Sequence, residues 1–145
     1  NASELRKTIG IDVLVLRVGN QLRIQVPSII FRENANDFKG LPAETISNNE
    51  RVLRRIATIL NKFRDYKIVV EGHANPVSLT ANEEKELLKP LSEARAQAVM
   101  EKLIEFGVDK NRLSYIGMGG TSPVIAHKDR DNWWKNRRVE FILIK

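Results

Sequence analysis

The sequence predicts an α+β fold: a two-layer sandwich in which a mixed sheet carries helices on one face. Three observations predict it. Short apolar strand-like runs stand near both ends, two stretches with helical periodicity are interleaved with further strands, and Gly, Pro and Asn separate the segments. The last two strands, 113–116 and 139–144, read as a terminal hairpin.

The elements follow in order. Ile11-Asp12-Val13-Leu14-Val15-Leu16 is strand-like, Gly19-Asn20 reads as a tight turn, and Leu22-Arg23-Ile24-Gln25-Val26 alternates as a half-buried strand. Residues 32–46 are polar and irregular, with Gly40 and Pro42 breaking any periodicity. Ser47 and Glu50 have capping-box spacing, which would satisfy N–H groups at a helix start. Val52, Leu53, Ile56, Ile59, Leu60 and Phe63 then share one helical face, with Arg51, Arg55 and Lys62 on the opposite, solvated one. Lys67 to Gly72 is a short strand, and the polar residues 75–90 read as a long loop. A second helix opens at Ser92, turns Ala96, Val99, Met100 and Leu103 inward and stops at Gly107.

The 145 residues suit one domain spanning 1–145, with residues 1–21 as its N-terminal strand region, and there is no repeat or linker. Asn1-Ala2 has the look of a cloning scar, which would make the chain an excised domain. Net charge is +6 and the pI about 9.8, which suits an anionic partner such as nucleic acid, anionic lipid or a carboxylate-rich polymer. With no cysteine there is no disulfide or thiolate chemistry, and no apolar run approaches a membrane span of roughly 20 residues.

Arg95 is the most informative side chain. If Ser92 is an N-cap, Arg95 falls in the first helical turn, where a cation opposes the helix dipole. One explanation is function: N–H groups and a planar guanidinium converging on one point make a carboxylate receptor. The other is a surface Arg paired with Glu93 or a loop acid, and spacing does not choose between them.

Gly72-His73-Ala74-Asn75, Leu91-Ser92-Glu93-Ala94-Arg95-Ala96 and Asn136-Arg137-Arg138-Val139-Glu140 together resemble the OmpA-like (OmpA/MotB) family over roughly residues 22–145. Gly107-Val108 and Gly117-Met118-Gly119 before Pro123 fit the same order. The resemblance implies an OmpA-like sandwich in the periplasm of a diderm envelope, attached to a membrane anchor outside this segment. It also implies a non-enzymatic role without cofactors: binding the peptidoglycan stem peptide. In the family, the Arg of Leu-Ser-x-x-Arg-Ala and the first Arg of Asn-Arg-Arg-Val bind carboxylates of the diamino acid, and the Asp of Gly-His-Thr-Asp takes its ammonium. Carried over, the site is Arg95, Arg137, Asn75 and Asn34.

The departures are specific. Asn75 replaces the family Asp, Val77 stands where a small hydroxyl residue is common, and Leu88 takes the usual Asn position. The segment between His73 and Leu91 is longer than usual, and Asn82 could substitute if it folds back. Asn75 leaves two arginines with no family acid, so the resemblance implies cell-wall binding that is weakened, altered or lost. The alternative is a structural or protein-interaction module whose lengthened 75–90 segment meets another envelope protein.

Other signals carry less. His73 and His127 lack a spacing that would converge carboxylates on a metal, and His73 reads as a packed residue. Gly117 to Gly120 is a turn, since no Gly-Lys-Ser/Thr follows. Trp133-Trp134 amid basic residues resembles a nucleic-acid surface, but one Trp in the core and one over the terminal strand explains it without nucleic acid. Glu83, Glu84 and Glu86 read as a solvated loop rather than an acid/base pair, and no nucleophilic triad is legible.

Overall fold

β1 (Leu14–Val18) turns at Gly19-Asn20 into β2 (Gln21–Gln25), pairing Val15 with Ile24 and Arg17 with Leu22. This is a computed structural model, and it describes residues 14–26, 29 and 41–145. The first part of the expected N-terminal strand, 11–13, lies outside the described residues, as does Asn34.

α1 (Ala43–Leu60) begins at Pro42 rather than at Ser47, and no side chain caps its N-terminus. Pro42 sits at φ −56°, and its carbonyl accepts Ile46 N–H at 3.0 Å, so the helix is under way before the Ser47 spacing is reached. Ser47 is therefore exposed within the helix. The apolar face is as the periodicity predicts: Val52, Leu53, Ile56, Ile59 and Leu60 are buried, while Arg51, Arg55 and Lys62 are exposed. Phe63 lies past the helix end and packs against the same core. Arg112 caps that end, its guanidinium donating to the carbonyls of Leu60, Phe63 and Tyr66 at 2.7–3.0 Å.

β3 (Lys67–Gly72) follows. The expected loop over 75–90 is in large part helix: α2 (Ala81–Glu83), a π-helical turn (Glu84–Leu88) and α3 (Lys89–Glu105) run on from one another. The start is capped by Thr80, whose Oγ1 accepts Glu83 N–H at 3.1 Å. Pro90 cannot donate to a carbonyl in the preceding turn, and the helix widens just ahead of it, Lys89 N–H donating to Glu84 O. Ser92 is thus a buried residue within α3 and not its first.

β4 (Leu113–Gly117) runs parallel to β3, and β5 (Val139–Ile144) inserts antiparallel between β2 and β3. Strand order is β1-β2-β5-β3-β4, so β4 and β5 flank β3 and form no terminal hairpin. The long 118–138 connection carries the chain back across the sheet, and β5, buried along most of its length, takes the centre.

Both long helices cover one sheet face. Ile24, Phe141 and Val70 form one register row, Leu22, Leu143 and Ile68 another, and these meet Val52, Leu53 and Ile56 of α1 with Ala96, Val99 and Leu103 of α3. Fully buried side chains of this kind contribute ~1.5–3 kcal/mol each, so these rows dominate stability. α3 lies so close to β3 that a Cβ on Gly72 would collide with the Ser92 carbonyl. That contact fixes where Arg95 lies, less than one turn further along α3.

Candidate functional site

The segment leaving β3, the segment entering β5 and the α2–α3 helix converge on one small cleft of about 30 Å³. Asn75, Arg95, Arg137 and Glu83 supply its polar lining, and Val77, Leu87, Leu88 and Leu91 its apolar walls. Three of the four expected site residues therefore come together. The polar helix start expected of Ser92 and Arg95 does not exist: Arg95 is in the interior of a long helix and fully buried. Its place is set by packing rather than by a helix terminus.

Arg95 Nη1 donates to the His73 carbonyl at 3.4 Å. Burial, with a contribution from the like charge of Arg137, pulls its pKa down to about 10, which still leaves a cation at neutral pH. Arg137 Nε is buried with no hydrogen-bond partner. Two guanidiniums that repel each other in a partly dry cleft form a site that gains from an anion.

Asn75 is oriented by its neighbour. Asn136 Oδ1 accepts the N–H groups of Val124 and Ile125 at 2.8 and 3.1 Å, so its Nδ2 is the donor to Asn75 Oδ1 at 2.8 Å. Asn75 Nδ2 donates to Pro76 O at 3.3 Å and has a second hydrogen to offer. Asn75 thus has its oxygen engaged and its donor end in reserve.

Ser92 fixes the helix against the loop after β4, its hydroxyl donating to Lys89 O at 2.9 Å and accepting Gly119 N–H at 2.8 Å. Leu88 is buried in the cleft wall, and Asn82 is exposed and is not part of the cleft lining. Two of the three acids expected in a solvated loop, Glu83 and Glu84, are engaged. Glu84 accepts Gly120 N–H at 2.7 Å, and Glu83 accepts the N–H groups of Val77, Ser78 and Leu79 at 3.0–3.3 Å. The signal that would have found Glu83 is the Thr80-x-x-Glu83 spacing.

On the sheet face away from the helices lies a buried ionic network. His73 Nε2 is 2.7 Å from Glu71 Oε1, and Arg23 Nη1 bridges Glu71 Oε1 at 2.7 Å and Glu140 Oε1 at 2.9 Å. Arg138 Nε donates to Glu140 Oε2 at 2.6 Å. Burial works to raise the pKa of each glutamate, but hydrogen bonds from His73 and Arg23 to Glu71, and from Arg23 and Arg138 to Glu140, hold both below the ordinary value. Contrary to expectation, carboxylates do converge on His73: ligand atoms of Glu71, His73 and Glu140 lie within 4.8 Å of one another. The Arg23 guanidinium already bridges the two carboxylates and Arg138 holds the second oxygen of Glu140, so the arrangement reads as an ion-pair cluster.

Neither tryptophan enters the core. Trp133 Nε1 donates to His127 O at 2.8 Å and its ring lies against His127, while Trp134 is exposed.

Motility protein B of Helicobacter pylori J99 is 32% identical over 119 residues, covering 81% of this chain and 44% of the relative. A peptidoglycan-associated lipoprotein of Mesorhizobium japonicum is 36% identical over 90 residues, covering 62% of this chain and 51% of its own length. The chain thus spans about half the length of these curated relatives. Among solved structures, the periplasmic domain of H. pylori MotB superposes with a TM-score of 0.73 at 25% identity, covering 97% of this chain and 82% of that one. The cell wall anchor of the T6SS from Pseudomonas aeruginosa shares the fold, with a TM-score of 0.75 at 22% identity over 99% of this chain and 96% of that one. The OmpA family profile matches residues 43–137, which include the residues of the cleft. The chain belongs to the OmpA family.

Proposed function

We propose that this chain is a single non-enzymatic domain that holds the stem peptide of peptidoglycan on the periplasmic side of the envelope. The observation that carries the reading is the convergence of Arg95 and Arg137 on one cleft, with Arg137 Nε lacking a partner. A carboxylate placed there relieves the repulsion between the guanidiniums and satisfies the orphan donor. Relatives named for this role support it: the peptidoglycan-associated lipoprotein above, and the peptidoglycan-binding protein ArfA of Mycobacterium tuberculosis, 28% identical over 101 residues. Asn75 contributes a donor where the family has a carboxylate, so binding is altered: strong for the carboxylate of the ligand, weakened at the Asn75 end.

Sedimentation with purified sacculi tests this. Wild type should co-sediment and Arg95→Ala should remain in the supernatant; equal behaviour of the two sinks the reading.

A second reading rests on the rim. Val77, Leu79 and Leu87 are 50%, 63% and 45% exposed beside the cleft, an apolar edge suited to another envelope protein. If wild type ignores sacculi and Asn75→Asp creates binding, the chain is an interaction module that has lost the cell-wall ligand.

A further inference from the structure

The cleft lacks a carboxylate at Asn75 but contains another. Glu83 lines it together with Arg95, Arg137 and Asn75. Its position is built and not incidental. Thr80 caps its N–H, and its oxygens collect the amides of Val77, Ser78 and Leu79, the last at a positive φ of 59° that non-glycine residues rarely adopt. Oε1 accepts three of these N–H groups, whereas Oε2 accepts only that of Val77, at 3.0 Å. An ionised carboxylate offers about four acceptor positions, so Oε2 retains capacity for another donor.

The other polar groups of the cleft are donors. Arg95 and Arg137 have no acceptor, and the Asn75 oxygen is already held by Asn136. An ammonium entering this cleft therefore meets one acceptor with a full negative charge.

We propose that Glu83 is the acidic member of the site, taking the ammonium of a zwitterionic diamino acid whose carboxylate lies on Arg95 and Arg137. This rests on the cell-wall reading above and deepens it: the charge lost at position 75 is supplied from the lengthened segment, across the cleft. The ligand class is a diamino acid with an unmodified side-chain amine.

The test is a titration of the domain with two synthetic stem peptides, one with the side-chain amine of its diamino acid unmodified and one with it acetylated. Wild type should prefer the unmodified amine by about tenfold, because acetylation removes the positive charge that pairs with the Glu83 carboxylate. Glu83→Gln should bind both alike, through its arginines. Thr80→Ala loosens the same helix start but keeps the carboxylate, and should keep the preference. If Glu83→Gln melts early, Glu83→Asp gives the same reading, since its charge is withdrawn by one methylene and the preference should shrink. An undiminished preference in Glu83→Gln or Glu83→Asp overturns the assignment. So does a wild type that binds both peptides equally, and in that case the cell-wall reading survives. Binding of neither peptide nor sacculi by wild type overturns both.

Discussion

Asn136 Nδ2 donates to Asn75 Oδ1 at 2.8 Å, and because Asn136 Oδ1 already serves two backbone N–H groups, this bond can run in only one direction. The Asn75 side chain is thereby turned with its oxygen toward Asn136. A carboxylate at the same place would accept the same Asn136 donor and add a negative charge. Asn75→Asp is therefore expected to fold normally and to bind an ammonium-bearing stem peptide about tenfold more tightly. Calorimetric titration against wild type checks this, and an unchanged or lower affinity would contradict it.

Arg95 is expected to serve binding at the expense of stability. It is fully buried, and its pKa of about 10 records the burial cost and the repulsion from Arg137. Arg95→Met replaces it with an apolar chain of similar reach. The variant should be as stable as wild type or more so, by at most on the order of 3 kcal/mol, while losing sacculus binding. Urea denaturation paired with co-sedimentation would show whether the two properties separate.

Acid should loosen the network behind the cleft. Glu71 and Glu140 have folded-state pKa values below the ordinary 4.5, so the unfolded chain binds more protons near that value and stability falls as pH falls. Their contribution should be intact above the ordinary value, decline as the pH drops through it, and be lost below the depressed folded values. Glu140→Gln should flatten this acid limb in a series of melting curves. An equally steep limb in the variant would place the effect elsewhere.

Gly72→Ala should be among the most damaging single-methyl additions. The new Cβ would meet the Ser92 backbone carbonyl, which cannot rotate away as a side chain could. Forced overpacking of this kind costs ~1–3 kcal/mol, and the upper end is expected here. α3 must shift to relieve the clash, so peptide binding should weaken as well.

The two Ser/Thr-x-x-Glu spacings should respond differently to alanine. Thr80→Ala removes the cap on Glu83 N–H and should cost about 1 kcal/mol. Ser47→Ala alters an exposed position inside α1 and should stay within ~0.5 kcal/mol of wild type. Comparable losses in both would mean that Ser47 does cap a helix in solution.

The fold class, the strands at 67–72 and 139–144 and the apolar faces of α1 and α3 were legible in the residues, while Arg137 and Asn75 became candidates only through the family resemblance. Periodicity reports burial, and short motifs report side chains whose chemistry stands out locally. Other features depended on partners distant in sequence. Whether 81–90 was loop or helix turned on Thr80 capping Glu83 and on a π-turn absorbing Pro90, and its polar composition pointed the other way. The insertion of β5 between β2 and β3 cannot be read from β5, because its residues suit any buried strand. The direction of the Asn75 amide was decided by two backbone N–H groups at 124 and 125. The acid in the cleft was visible as a residue from the outset but not as a member of the site. A sequence specifies which groups carry charge and which seek burial; the distance between them, which sets every electrostatic and hydrogen-bond energy in the cleft, exists only once the chain has folded.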